Sequence, residues 1–286
     1  MNQIIKKQND EKLLKIQYSA RVCYNFAEII NVLVWCLCIL GFILTNVTAL
    51  KDFLGWLFPY ISAVLTWSVF ICGDILSSKA ICLGAAFKKY FDYCLFDLST
   101  DNYCGYSEMQ LIEKSLCICK MRKKDSEMRT RNTGTDKIRG VKDWYTGTET
   151  YVDGSNLIFK CQTQNVWFDQ KISNIQKWFF RSILIITIIT LIVTNYKNTV
   201  EILMLTVLTA LSLILKTIKE LRSYKNFDKL MIKIDVFNNK SNIDNNDIKH
   251  IQSYIDERRS MNFVSINKIH DILSTSLHER YSDINN

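Results

Sequence analysis

The chain has 286 residues, of which 48% are hydrophobic and 22% charged, and its formal net charge is +8. A single proline and nine glycines favour long helices and argue against a strand-rich fold. The basic excess is typical of segments beside lipid headgroups, whereas DNA or RNA binding would need a basic surface interleaved with aromatic residues, which the sequence does not show. The polar N-terminus also lacks the apolar stretch of a signal peptide.

Residues 2–27 have the spacing of an amphipathic helix, with lysines interleaved among leucines and isoleucines. We expect this helix to pack on other cytosolic helices, and the alternative is a helix that lies on anionic lipid. Residues 28–76 then form a first apolar hairpin, with spans at about 29–50 and 53–76. Each span is long enough to cross a bilayer with some tilt, and packing can absorb the bend at Pro59.

Residues 179–215 form a second apolar hairpin, with spans at about 179–195 and 199–215. Its two apolar runs have no polar face wide enough to meet water, so we expect them to cross the membrane. They are somewhat short for the ~30 Å hydrocarbon core, and four side chains are expected to anchor or snorkel at the surfaces: Trp178, Arg181, Tyr196 and Lys216. The alternative is a buried hairpin of a large soluble protein.

Basic residues are concentrated on one side of these four spans. The short loops near Lys51 and Lys197 carry one lysine each, and the other ends of the spans are rich in lysine and arginine. The positive-inside rule therefore places the N-terminus, the central segment 77–178 and the tail 216–286 in the cytoplasm. The sequence predicts an all-α, multi-pass membrane protein with four transmembrane helices in two hairpins (2 + 2). A mainly helical cytosolic domain is predicted from the central segment and the tail.

Several segments outside the spans are also predicted to be helical. Residues 85–98 continue the second span into the cytosol, and a helix from about Asn156 runs directly into the third span. Beyond Lys216 the helical spacing continues to Ile234. A linker at 238–247 then precedes two short helices.

The central segment contains one helix start and one charged stretch. Ser107 and Gln110 have the spacing of a capping box, which predicts a helix after them. The charged, glycine-containing residues 119–137 follow that helix, and we expect them to form a mobile loop.

The sequence shows no combination of side chains typical of an active site. Its ten cysteines include no CxxC pair, which indicates free thiols rather than a zinc site. Paired carboxylates in a cleft, a Ser/His/Asp order and a P-loop are not found. We therefore expect no enzyme activity, no metal site and no cofactor.

Short motifs in a fixed order carry a resemblance to a known family. They are NQIIKKQND at 2–10, YSA at 18–20, FDYCLFDL at 91–98, VKDWY at 141–145 and KCQTQNVWFD at 160–169. In these motifs and in its 2 + 2 layout, the chain resembles the SMODS-associated four-transmembrane (S-4TM) effectors of bacterial anti-phage systems. The similarity covers the chain to about residue 237.

The resemblance implies a function in cyclic-oligonucleotide defence (CBASS). A synthase would make a second messenger on infection, and this inner-membrane protein would respond by perforating or disrupting the membrane, so that the infected cell stops growing or dies. One alternative is a membrane-anchored scaffold that recruits a partner through its cytosolic domain. Another is a membrane enzyme or transporter, which would require a buried charged pair at mid-bilayer depth that the sequence does not indicate.

Hydroxyl side chains repeat along single faces of the predicted spans and are candidates to line a pore. They are Ser62, Thr66, Thr187, Thr190, Thr194, Thr206, Thr209 and Ser212, with Asp74 towards the end of the second span. The alternative is that they bond to carbonyls of their own helices or across packed interfaces. Four spans cannot enclose a wide aqueous hole without opening the bundle, so a pore implies a homo-oligomer.

The VKDWY motif combines charge with two aromatic rings. Bases stack on aromatic rings and phosphates pair with lysine or arginine, so the candidate messenger contacts here are Lys142, Asp143, Trp144 and Tyr145. A nearby basic run could supply further phosphate contacts, above all at Arg122, Lys123 and Lys124. The alternative is that the two rings anchor the cytosolic core and that the basic run is a solvated loop or a headgroup contact.

Overall fold

The computed structural model describes residues 3–46, 58–100, 102–134, 136–145, 154–195, 200–240 and 243–262. Within these ranges the chain folds into eight α-helices and one short 3-10 helix, and it forms no strand. Four of the helices are long and form a bundle, and the shorter helices pack around one end of it. The predicted all-α fold class is confirmed for this part of the chain.

The chain begins with α1 (Gln3–Lys7) and α2 (Glu11–Asn46). Asp10 separates them, because its carboxylate accepts hydrogen bonds of 2.9 and 3.3 Å from two backbone N–H groups in the first turn of α2. Such a side-chain cap starts a new helix. The single amphipathic helix expected over 2–27 is therefore divided, and its second part continues without a break into the first apolar segment.

The next helix, α3 (Phe58–Leu95), runs antiparallel to α2 and packs closely along it. Glycines allow the close approach: a Cβ on Gly41 would lie 2.3 Å from Oγ1 of Thr66, and one on Gly73 would lie 2.2 Å from Cγ2 of Val34. Small residues at helix contacts are typical of membrane bundles. α3 also continues past its apolar segment, as predicted.

Two short helices follow, α4 (Glu108–Met121) and α5 (Lys123–Arg131). The predicted capping box is confirmed at the start of α4. The Ser107 hydroxyl accepts a hydrogen bond from the backbone N–H of Gln110 at 3.3 Å, and the Gln110 side-chain oxygen accepts one from the backbone N–H of Ser107 at 3.0 Å.

The expectation of a mobile loop at 119–137 was wrong, because α5 occupies the middle of this stretch. Asp125 organises this helix: it accepts hydrogen bonds of 2.7 Å from the Tyr18 hydroxyl of α2 and from Nε of Arg129. Charged residues that looked solvated in the sequence are thus used to fix α5 on the bundle.

The second half of the chain contains α6 (Ser155–Asn195) and α7 (Val200–Asp235), a 3-10 helix (Val236–Asn239) and α8 (Asn245–Ser260). At 1.5 Å per residue α6 is about 60 Å long, roughly twice the thickness of a bilayer core. The predicted helix into the third span and the predicted continuation beyond Lys216 are both confirmed. The second of the two short helices expected in the tail lies outside the described residues.

The bundle has two halves of different polarity. We call the helix segments 29–46, 58–76, 179–195 and 200–215 the apolar half, and the other described residues the polar half. In the apolar half large hydrophobic side chains face outward: Val64 and Ile192 are each 66% exposed. Soluble monomers rarely show an exposed apolar surface of this extent.

Three helical stretches in the described part of the chain are long and apolar enough to cross a membrane: Glu11–Leu44, Tyr60–Leu95 and Ser155–Val193. The fourth predicted span corresponds to the first part of α7, where the side chains of residues 201–206 lie outside the description. The count of four spans therefore stays a prediction.

Separate apolar clusters hold the two halves together. Where the two halves meet, the Trp35 ring of α2 lies 5.2 Å from the Phe180 ring of α6, which lies 5.9 Å from the Tyr224 ring of α7. In the polar half, buried aromatic residues of α3 pack between α2 and α4. α8 buries Ile251 and Ile255 against α6 and α7.

Candidate functional site

The VKDWY segment, residues 141–145, lies on the polar half and is held there from both sides. The Gln8 side-chain oxygen accepts a hydrogen bond from the backbone N–H of Tyr145 at 3.0 Å, and the Gln8 side-chain NH₂ donates to the backbone carbonyl of Tyr145 at 3.4 Å. The Asn9 amide donates to the Asp143 carboxylate at 2.6 Å. Asp143 has a φ of 51°, in the left-handed region, so the turn between α1 and α2 holds a sharply bent segment.

The two aromatic rings of the segment have different surroundings. Tyr145 is only 3% exposed, packs at 5.8 Å from the Phe96 ring and donates its hydroxyl to Asp92 at 3.2 Å. Trp144 is 40% exposed, and Nζ of Lys88 lies 3.9 Å from its ring centroid. Trp144 is therefore the ring that a nucleobase could reach, whereas Tyr145 belongs to the core.

The basic run lies apart from the VKDWY segment. Lys142 donates its backbone N–H to the Asn132 carbonyl at 3.1 Å, just beyond the C-terminal end of α5. Arg122, Lys123 and Lys124 are exposed at the opposite end of that helix. Nine residues separate the ends by about 13 Å, so one small ligand group cannot contact both sets, although a cyclic oligonucleotide could span them.

Beneath Tyr145 the structure shows a buried polar network that sequence reasoning missed. Asp92 of α3 is its centre: it pairs with Nη1 of Arg259 at 2.6 Å and accepts a hydrogen bond from the Gln252 amide at 3.0 Å. Gln162 of α6 donates to the Gln252 side-chain oxygen at 2.9 Å. The network therefore connects the VKDWY segment, α3, α6 and α8.

Asp256 lies at the edge of this network. Its Oδ1 accepts a hydrogen bond from Gln252 at 3.1 Å and lies 3.8 Å from Arg259. Burial, together with the negative charge of Asp92, raises the pKa of the Asp256 carboxyl to about 6 against the opposing charge of Arg259. This carboxyl thus titrates near physiological pH.

The residues after α8 connect the polar half to the end of the apolar half. The Asn262 amide donates to the Ser78 hydroxyl at 2.6 Å and to the Ser77 hydroxyl at 3.3 Å, and its distance to Asp74 is 3.4 Å. Asp74 also pairs with Lys219 of α7. The predicted pore-lining carboxylate Asp74 is therefore part of an ion pair between α3 and α7.

Most of the hydroxyl candidates whose side chains the structure describes point into the bundle. Thr187 and Ser212 donate to carbonyls of their own helices at 2.8 Å, and Thr66 does the same at 2.7 Å. Ser62, Thr66, Thr187, Thr209 and Ser212 are buried, and Thr190 is partly exposed. The side chains of Thr194 and Thr206 lie outside the described residues. Hydroxyls bonded to their own helices agree with the packing alternative.

The expectation that Lys216 anchors at a membrane surface was wrong. Lys216 is 1% exposed, donates to the Asn31 side-chain oxygen of α2 at 2.9 Å and lies 3.2 Å from the carboxylate of Glu220, which is itself 1% exposed. Partners inside the bundle replace the water that a snorkelling lysine would reach. The pair stands where the apolar half meets the polar half.

Few local signals in the sequence indicate these buried polar groups. Asp92 and Arg259 are 167 positions apart and lie on different helices. The only local signal is that Asp92 stands next to Phe91 and three residues before Leu95, both of which are buried. A carboxylate on such a face needs a partner from elsewhere in the chain.

A helical bundle with a lipid-compatible apolar half and a polar half formed by the same helices defines an α-helical membrane protein. Comparison with known protein families gives a match to the SMODS-associating 4TM effector domain over residues 2–262. The chain belongs to this family, as the motifs in its sequence suggested. Comparisons with the curated proteins and with the solved structures give no match.

Proposed function

We propose that this chain is a membrane effector of bacterial anti-phage defence (CBASS) that permeabilises the inner membrane when a cyclic-nucleotide second messenger activates it, causing abortive infection. Its partners are the lipid bilayer, further copies of itself and, functionally, the synthase that makes the messenger. Family membership supports the effector role. The basic ends of the helices support a cytosolic polar half, with both termini inside.

The observation that carries the proposal is a route of hydrogen bonds and one short chain segment from the candidate messenger segment to the end of the apolar half. Tyr145 contacts Asp92, which pairs with Arg259 of α8. Three residues later Asn262 bonds to the α3 serines beside Asp74. A ligand that binds better when Trp144 and Tyr145 have shifted would move α8 and, through it, the ends of the spans.

Dye release from vesicles tests the proposal. The purified full-length chain is placed in vesicles of phosphatidylethanolamine and phosphatidylglycerol, and release is followed with cyclic di-adenylate, cyclic di-guanylate and cyclic tri-adenylate. We expect one of them to trigger release. Vesicles that stay sealed with all three, together with unchanged membrane potential in cells that also make the synthase, would contradict the proposal.

Variants of the VKDWY segment locate the ligand contact. Trp144→Ala and Lys142→Ala should reduce messenger-dependent release, because they remove a stacking surface worth about 1–3 kcal/mol per base and a phosphate partner. Trp144→Phe should keep most of the response. Lys137→Ala, at an exposed lysine four residues before the segment, is the matched control and should behave like the wild type.

One observation favours the scaffold alternative. Met109 and Leu116 of α4 are 79% and 52% exposed and lie on one helix face with Ile112, on the polar half. Such a face is suited to a protein partner. Replacing the four predicted spans with an unrelated membrane anchor distinguishes the two functions, since a scaffold would keep its activity and a permeabilising effector would lose it.

A further inference from the structure

A column of buried polar side chains extends from the junction of the two halves into the apolar half. On α7 they lie along one face, from Glu220 through Lys216 and Ser212 to Thr209, and each is at most 1% exposed. The eleven-residue separation corresponds to about 16 Å, or roughly half of a ~30 Å hydrocarbon core.

Side chains of α2 complete the column from the opposite side. Asn31 accepts a hydrogen bond from Lys216, and two turns deeper the fully buried thiol of Cys38 is a hydrogen-bond partner of Ser212. Deeper still, the Thr66 hydroxyl of α3 packs closely against Gly41 of α2. The polar groups therefore face one another inside a single protomer, while the outer surface of the same helices is apolar.

If these polar side chains served only to pack the helices together, their burial would cost free energy that apolar side chains would not. A charged pair removed from water loses several kcal/mol of hydration per ion, and apolar residues of the same volume often stabilise a fold better. Two further polar atoms of the bundle, Nε1 of Trp35 and Nε2 of Gln176, are buried without a hydrogen-bond partner in the described part of the chain. Buried groups of this kind commonly bind water.

We propose that this column is a proton path within one protomer and that the Lys216–Glu220 pair closes its polar end. The inference rests on the proposed function, because a path is useful only to a protein that permeabilises membranes. It differs from a wide pore between protomers, since the path is narrow and needs only one copy. Activation would separate the pair and let water enter the column from the polar half.

A pair of double variants tests the path without any messenger. Lys216→Ala/Glu220→Ala removes both charges and most of the volume, and should speed the collapse of a pH gradient across vesicles at least about tenfold, since each ~1.4 kcal/mol removed from a barrier is tenfold in rate. Lys216→Met/Glu220→Met also removes the charges but refills the space, and should be as tight as the wild type. The matched control Lys177→Ala/Asp228→Ala breaks an ion pair between α6 and α7 in the polar half and should not leak.

A thiol reagent directed at Cys38 tests whether the proton leak passes through the column. All ten cysteines are free thiols, and Cys38 is fully buried beside Ser212. A small thiol reagent should block the leak of the alanine double variant, and Cys38→Ser in that background should abolish the block. A leak that the reagent leaves unchanged runs elsewhere and would overturn the proposal.

The single variant Glu220→Ala keeps the test decisive if the alanine double variant does not fold. It removes the partner of Lys216 and opens space at the polar end of the column, and we expect a leak above that of the wild type. A folded Glu220→Ala protein, judged by helicity and monodispersity, that is as tight as the wild type refutes the path. Dye release by wild-type protein is a separate measurement, so a failed messenger response and a failed path are distinguishable.

Discussion

Arg259 shows how much one buried charge contributes to this fold. Its guanidinium is the cation that faces Asp92, and both side chains are almost fully buried. Arg259→Met leaves the buried Asp92 carboxylate without its ion-pair partner and should lower the free energy of unfolding by about 3–5 kcal/mol, measured in detergent by denaturant titration. The double variant Asp92→Asn/Arg259→Met should recover much of that loss.

The exposed pair Lys15–Glu11 is the control for this prediction. Glu11 is 84% exposed, and the two residues stand one helical turn apart. Lys15→Met should change the free energy of unfolding by less than about 1 kcal/mol. Equal losses in Arg259→Met and Lys15→Met would show that the buried network does not stabilise the polar half.

Asp256 gives the fold a pH dependence with a defined sign. Its pKa rises from 3.8 to about 6 on folding, because burial favours the neutral acid. The native state therefore holds this proton more tightly than the unfolded chain, and ionisation weakens the fold as pH rises between about 4 and about 6. The cost at pH 7 is on the order of 3 kcal/mol.

Asp256→Asn should remove that dependence. We expect the melting temperatures of the variant and the wild type to converge near pH 4, where both side chains are neutral, and the variant to be the more stable protein at pH 7. Comparing the two proteins cancels the contributions of other titrating groups. Melting curves that shift in parallel with pH would contradict the assigned pKa.

At the scale of helices, the contact between α2 and α3 depends on a residue without a side chain. Gly41→Ala would place its Cβ 2.3 Å from Oγ1 of Thr66, and we expect a loss of about 1–3 kcal/mol from overpacking. Thr66→Ala should rescue it, because the remaining Cβ atom of residue 66 lies at 3.5 Å, an ordinary contact distance. Unfolding in detergent measures both.

Gly134→Ala is the matched control for this pair. Its added Cβ would meet no atom within 4 Å in the described part of the chain. We expect its stability to stay close to that of the wild type. If the double variant Gly41→Ala/Thr66→Ala is no more stable than Gly41→Ala alone, the two helices do not meet at this point.

The helices were predictable from the sequence where the signal is local. The apolar periodicity beyond Lys216 and the Ser107–Gln110 spacing need only neighbouring residues, and both were confirmed. α5 was missed because a hydrogen bond from α2 fixes it, and the donor Tyr18 stands 107 positions away from Asp125. Periodicity carries no information about a partner so distant in sequence.

The candidate site was less predictable than the fold for the same reason. The VKDWY motif marked a segment in which the structure exposes Trp144 and buries Tyr145, but the Asp92 and Arg259 charges beneath it gave no combined signal. Lys216 looked like a surface anchor because its buried partner Asn31 lies 185 positions earlier. The sequence position of a charged side chain does not by itself reveal whether water or another side chain will solvate that charge.

At the scale of the whole molecule, the number of spans decides on which side of the membrane the tail lies. With four spans, reporters fused at Asn102 and after residue 286 should both be active in the cytoplasm, and one inserted near Lys197 should be active outside. With three spans the tail would lie on the opposite side from Asn102. Fusion activities at these three positions separate the alternatives, and a periplasmic signal at Asn102 would refute the proposed topology.

The unbroken course of α2, α3, α6 and α7 has a practical consequence for biochemistry. A truncation that removes the apolar half must cut all four helices in their interior, which leaves up to four unsatisfied backbone groups at each new helix end. It also separates the contacting rings of Trp35, Phe180 and Tyr224. A trimmed, water-soluble sensor fragment should therefore be poorly folded, and nucleotide affinities should be measured on the intact polypeptide in micelles or nanodiscs. Because each of these helices is continuous, a tilt at one of its ends is transmitted to the other end without a hinge to absorb it.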